Sequence, residues 1–220
     1  SMRLAIPMLV NILVAIGLYL LKKKGTFNKI SELKTQIIIG LIFGAVSSFA
    51  SSFGVEVLGV VVNVRDAAPI TAGLVFGPIS GLIAGFIGGT YRALSVLWGA
   101  SDYTVVACTV STIMAGITVA LLRKYMFDDK RPTITYSVGI TLVLEVFHML
   151  MIFITNYGDA NRAFQFIREC TILMVVFNCL AVGLSVFAIS LINKEFKIKK
   201  LSTERGIADR FQVWLFASII

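Results

Sequence analysis

The chain has 220 residues, 57% of them hydrophobic, with a mean hydropathy of +0.89 and a formal charge of +8. An ordinary soluble domain is roughly 45–50% apolar, so a water-soluble fold is excluded and the chain belongs in a bilayer. There is no P-loop, GxSxG or metal motif, and no pair of carboxylates at a catalytic spacing. No catalytic residue, metal or cofactor is therefore expected.

The first apolar run is Leu4 to Leu21, within the about 17 to 25 residues that a crossing needs. It has no basic leader beyond Arg3 and no small-residue cleavage site, and it ends in Lys22, Lys23 and Lys24, so it reads as a retained helix and not a signal peptide. Ile37 to Phe53 is the second span. A glycine-rich segment from about Ala67 to Thr90 follows, and then Thr104 to Leu122, Ser137 to Tyr157 and Thr171 to Ile192. The fold class expected is all-α: a polytopic membrane helical bundle with about six spans, one of them a broken or re-entrant Gly/Pro-rich helix. Val213 to Ile220 is apolar but too short to cross, and is expected to open a further helix.

Charge placement sets the topology. Residues 22 to 36, 123 to 132 and 193 to 210 hold 15 of the 20 basic residues, and by the positive-inside rule all three face the cytoplasm. A nucleic-acid patch is the rival reading of such runs, but beside apolar spans the topological one is preferred. An even number of crossings must then separate the first two stretches, so the glycine segment crosses twice or not at all. A re-entrant element with the apolar Val57 to Val62 as one arm would satisfy this, since non-helical backbone is tolerated at membrane depth when buried in protein. The loop Gly158 to Glu169 would lie outside.

Gly73, Gly77, Gly81, Gly85 and Gly89 recur at four-residue spacing, interrupted by Pro78 and bracketed by Arg65 and Arg92. Glycine every fourth residue lets another backbone or a small ligand approach closely. Pro78 removes a helix hydrogen bond and is expected to break the helix there. A new helix starting at Pro78 would aim free N–H groups inward, as discontinuous transporter helices do. Packing alone is the simpler reading of the glycines, although at 3.6 residues per turn the stripe drifts and cannot face one partner throughout.

Arg65 and Arg92 either snorkel to an interface or face a cavity. Arg65 lies in the polar string Asn63-Val64-Arg65-Asp66. Asn63 and Arg65 could present donors to a ligand carboxylate while Asp66 holds the guanidinium, the planar fork being suited to bidentate binding. Cys108 and Ser111, three apart on the following helix, could complete a pocket for a small anion. Glu145 and His148, three apart on a later helix, are charge partners of the pocket or a proton relay, with the structural role preferred. Cys170 and Cys179 read as packing residues, and three cysteines without CxxC spacing support neither a disulfide framework nor a zinc site.

Asn63-Val64-Arg65, Ala72-Gly73-Leu74-Val75-Phe76-Gly77-Pro78 with Gly81 and Gly85, and Gly88-Gly89-Thr90-Tyr91-Arg92 resemble the LytS-type five-transmembrane receptor domain of bacterial signalling proteins, over about Thr35 to Asn193. The resemblance implies a sensor of the bacterial cytoplasmic membrane, of the two-component type, that binds pyruvate through Arg65, Arg92, Cys108 and Ser111. It further implies a cytoplasmic output module of kinase, phosphatase or cyclase type outside these 220 residues. Residues 1–34 read as an N-terminal transmembrane helix and basic loop and 35–193 as the sensor domain; 194–220 departs from the family pattern, reading as a basic linker that leads into another span at Phe211 to Ile220 where a kinase-type relative would pass directly into a soluble domain. The expected partners are a small anion, the lipid bilayer and a second copy in a homodimer, with no nucleic acid. Gly77-Pro78-x-x-Gly81 also resembles the substrate-binding subunits of energy-coupling-factor transporters, which makes an uptake site the alternative function; a structural anchor or dimerisation module is a third.

Overall fold

A computed structural model describes residues 2–194, so the basic linker and Val213 to Ile220 lie outside the described residues. Within them, six helices are long and apolar enough to cross a membrane. Helix α1 (Met2–Lys23) is followed by α2 (Glu32–Ser52), a two-stranded hairpin of β1 (Val55–Val57) and β2 (Val60–Val62), and the short α3 (Ala67–Thr71), which widens into a π-helical turn at Ala72–Phe76. Then come α4 (Pro78–Leu94), α5 (Val105–Leu121), α6 (Ile134–Thr155) and α7 (Ala160–Ile192).

The all-helical bundle expected from composition is present, and the Gly/Pro-rich segment is broken. Its two arms meet at Gly77, whose φ of 134° is a conformation only glycine adopts readily, and Pro78 occupies the first turn of α4, where its missing N–H costs nothing. Gln36 of α2 fastens the reversal: its Oε1 accepts the Ile79 N–H at 3.0 Å and its backbone carbonyl accepts the Ser80 hydroxyl at 2.9 Å. The segment therefore runs toward Gln36 along α3 and away from it along α4, a reversal within the bundle whose first arm, Ala67–Phe76, is shorter than a full span.

Val57 to Val62 is not an arm of that passage. It forms the antiparallel hairpin, with Val55 opposite Val62 and Val57 opposite Val60, because β-branched valines favour strand and Leu58 and Gly59 take the positive φ values, 51° and 78°, of a two-residue turn. The stretch Gly158 to Glu169 also differs from a plain loop. Asp159 caps the backbone N–H of Arg162, and helix α7 is already formed from Ala160.

The basic stretches converge on one end. Lys22, Glu32, Gln36, Gly77, Arg123, Lys124 and Asp129 line a common cavity of about 560 Å³, and Lys23 Nζ donates to the Ile192 carbonyl at 3.2 Å, bringing the ends of α1 and α7 together there. Helix α4 is central because its glycines admit its neighbours. A Cβ on Gly85 would sit 2.9 Å from the Gly116 Cα and 3.0 Å from the Thr112 carbonyl oxygen of α5, and one on Gly44 of α2 would strike Ile87 at 2.7 Å.

Gly85→Ala is expected to push α4 from α5 and lower stability by about 1–3 kcal/mol, whereas Gly139→Ala, with open space around its Cα, should be neutral or slightly stabilising. Thermal unfolding in detergent reads both, and a harmless Gly85→Ala would contradict this packing.

Candidate functional site

At the end opposite the basic cavity, five elements bring polar side chains together. Gln36 and Ser51 are fifteen residues apart on α2, about 22 Å of helix, and mark the two ends. The residues after β2 are not helical until Ala67, and their backbone groups take partners from two helices and from the loop's own Asn63. The Arg65 N–H donates to Asn63 Oδ1 at 3.3 Å, the Arg65 carbonyl accepts the Ser47 hydroxyl at 3.1 Å, and the Ala67 N–H donates to Asn178 Oδ1 of α7 at 2.9 Å. Gly88 leaves the space that Ser47 occupies, since a Cβ there would lie 2.1 Å from the hydroxyl oxygen.

Arg65 is 2% exposed. Its Nε donates to Thr112 Oγ1 at 3.0 Å and its Nη1 to Ser51 Oγ at 3.1 Å. Thr112 passes the link on by donating to Asp66 Oδ1 at 2.5 Å, while Asp66 Oδ2 pairs with His148 Nδ1 at 2.8 Å and His148 Nε2 lies 3.3 Å from Cys108 Sγ. Asp66 therefore meets Arg65 mainly through the threonine, the direct Nε to Oδ1 separation being 3.9 Å.

Arg92, at the end of α4, is also buried. It donates to Ser95 Oγ at 3.1 Å, the Ser101 carbonyl at 2.7 Å and Thr104 Oγ1 at 3.3 Å. Among the described residues no carboxylate lies within 4 Å of it. It is within electrostatic reach of both Cys108 and Arg65. Glu145 is fully buried, with neither carboxylate oxygen bonded, and the buried Ser111 hydroxyl likewise has no partner.

Of the residues singled out in the sequence, Arg65, Asp66, Arg92, Cys108, Glu145 and His148 thus gather at one end of the bundle. Ser111 lies one turn along α5 from Cys108, and Asn63 is turned onto the backbone of Arg65. The remaining four are elsewhere: a Cβ on Gly81 would sit 2.7 Å from the Gly73 Cα, so these two are in helix packing, and Gly77 and Pro78 line the basic-end cavity. Sequence reasoning missed Ser51, Thr112 and Asn178. Thr112 was within reach, since it is four residues from Cys108 and so shares its helix face; Asn178, 111 residues from Ala67, was not.

Fold and site together define a polytopic helical membrane protein with a buried ionic network near one end. The chain belongs to the 5TMR-LYT family, whose model, described as the 5TMR of 5TMR-LYT, matches residues 18–192. It is similar to the sensor histidine kinase BtsS of Escherichia coli K12, 24% identical over 178 residues, covering 78% of this chain and 30% of that protein. The sensor histidine kinase YpdA of the same strain is 36% identical over 83 residues, 38% of this chain and 14% of that protein. The sensor histidine kinase/phosphatase LytS of Staphylococcus aureus Mu50 is 32% identical over 145 residues, 64% of this chain and 24% of that protein. The chain thus spans less than a third of the curated relatives it matches. No solved structure matches it significantly. It is a membrane sensor domain of the type found in these kinases, in a multi-pass protein of the bacterial inner membrane.

Asp66→Ala removes the acceptor of both Thr112 and His148 and leaves Arg65 as an uncompensated buried charge. The expected loss is about 3–5 kcal/mol, against about 1–3 kcal/mol for Thr112→Val. Unfolding midpoints in detergent should rank the two variants in that order, and an Asp66→Ala protein as stable as the parent would refute the network.

Proposed function

We propose that this domain binds a small carboxylate, pyruvate, through Arg65 and Arg92, with Cys108 and Ser111 completing the pocket and Asn63 shaping the turn that presents Arg65. The observation that carries the reading is Arg92: a guanidinium 7% exposed, inside an apolar bundle, with three neutral oxygen acceptors and, among the described residues, no carboxylate within 4 Å. A buried cation lacking a counter-charge is costly, and a ligand carboxylate supplies one with matching bidentate geometry. The unpaired hydroxyl of Ser111 offers a further donor. By the positive-inside rule this end faces outward, so the ligand arrives from outside the cell.

Signalling requires that the ligand favour one of two packings. The segment that carries Arg65 and Asp66 is bonded to α7 through Ala67 and Asn178, and α7 runs back to the basic end. A shift of Arg65 on ligand binding therefore pulls on the last helix of the matched region, which leads toward a cytoplasmic output module of the histidine-kinase type.

Calorimetric titration with pyruvate should show saturable binding by the parent and a loss of at least about 30-fold for Arg92→Ala, the lower end of the 2–5 kcal/mol that truncating one partner of a buried charge pair costs. Arg92→Lys should retain part of the affinity. A parent that does not bind pyruvate, or an Arg92→Ala protein that binds it equally well, would sink the assignment.

A further inference from the structure

Glu145 is the ionisable member of the cluster that the hydrogen-bond network does not explain. It is 0% exposed, neither of its oxygens has a partner, and it stands one turn of α6 from His148. Donor atoms of Asp66, Glu145 and His148 all lie within 4.8 Å of one another, and all three side chains are buried. A carboxylate sealed from water without hydrogen bonds is costly, and the side chains facing it offer an acceptor oxygen and a ring nitrogen, the donors that metals take.

We propose that Asp66, Glu145 and His148 form a binding site for a divalent transition-metal cation, with Zn²⁺ the best match. Two carboxylate oxygens and one imidazole nitrogen are a donor set that zinc accepts, at about 2.0–2.2 Å from each atom. Neighbouring ligand atoms in such a shell are roughly 3–3.5 Å apart by that geometry. Asp66 Oδ2 and His148 Nδ1 are already 2.8 Å apart, so closure falls to Glu145, whose side chain has no bond to break. Asp66 divides its two oxygens suitably: Oδ1 takes Thr112 and faces Arg65, while Oδ2 faces the histidine. The two carboxylates balance the charge of the cation. On binding, Glu145 gives up its carboxyl proton and His148 its Nδ1 proton, both to bulk solvent; His148 then coordinates through Nδ1, and its Nε2–H is held by Cys108 Sγ in the way outer partners orient metal-bound histidines. The cation does not depend on the pyruvate reading, since neither arginine is a ligand.

The test uses the tag-free chain purified in detergent, stripped with a chelator and titrated with Zn²⁺ alone, without pyruvate, so that its outcome is separate from that of the anion titration. One Zn²⁺ per chain should remain after gel filtration. Glu145→Gln should weaken binding by more than the roughly 10–100-fold that loss of an outer-shell partner costs, while Glu32→Gln, an acid outside the cluster, should leave it unchanged. Zn²⁺ should raise the Tm of the parent and not that of Glu145→Gln, whose amide keeps the side chain's size. Should Glu145→Gln fail to fold, X-ray absorption of the zinc-loaded parent decides: a nitrogen/oxygen shell near 2.0–2.1 Å with imidazole scattering supports the site, and a sulfur shell near 2.3 Å overturns it. A parent that keeps no Zn²⁺, or a folded Glu145→Gln that binds it as the parent does, also overturns the proposal.

Discussion

Arg65 and Asp66 are adjacent in sequence and both buried in a bundle of apolar helices, and the placement of the other elements follows from that. Removing two charges from water costs several kcal/mol per ion, repaid only when the remaining donors and acceptors find partners. The partners come from α2 through Ser51, from α5 through Thr112 and from α6 through His148. Three helices distant in sequence are thereby fixed in register around one dipeptide. The backbone there is non-helical, which membrane depth tolerates only when every polar group is satisfied, and Ser47 and Asn178 meet that condition for the Arg65 carbonyl and the Ala67 N–H.

Such a network closes only if the helices approach closely, and that is what the glycines supply. Gly85 and Gly116 let α4 and α5 touch backbone to backbone, and Gly88 makes room for the Ser47 hydroxyl that holds Arg65. Without a hydrophobic force between helices in lipid, such small-residue contacts carry the packing. The glycine ladder and the arginines at its ends thus act together: the ladder sets the helix spacing, and the charges occupy the polar space that the spacing leaves. Drift of the stripe, which argued against one common partner, is resolved by giving different glycines to α2 and to α5.

Much of this was legible in the sequence because it rests on local signals. Apolar run length gave the spans, lysine and arginine placement gave the common end, and Gly77-Pro78 gave the break. The valine run before Asn63 is hard to place because length and hydropathy do not distinguish a short apolar hairpin from half a helix; the signal that does is Leu58-Gly59 between two valine pairs, a turn signal. Of the site, the residue types stood out because ionisable groups are rare in spans, but their pairing did not. Asp66 looked like the holder of Arg65, whereas its carboxylate is shared between Thr112 and a histidine 82 residues away. Pairings at that separation are set by tertiary packing and leave no periodicity to read.

Comparing the two arginines assigns them different work. Arg65 has its side chain tied to α2 and α5, its carbonyl to α2 and its neighbouring acid to α6, so most of its capacity is spent on holding the bundle together. Arg92 is bonded to neutral oxygens from its own helix end and the loop that follows, Ser95, Ser101 and Thr104, with the Cys108 thiol of α5 also within its reach. An incoming anion gains most from the cation that lacks a counter-charge, and moves most easily the one that is held locally. Under the proposed function Arg92 would be the side chain that meets the anion first, and Arg65 the one through which a change in charge would reach α5, α6 and, by way of Ala67 and Asn178, α7. A site divided in this way can be rigid enough to fold without ligand and still respond to it, because the group that responds is not the group that holds the helices in place.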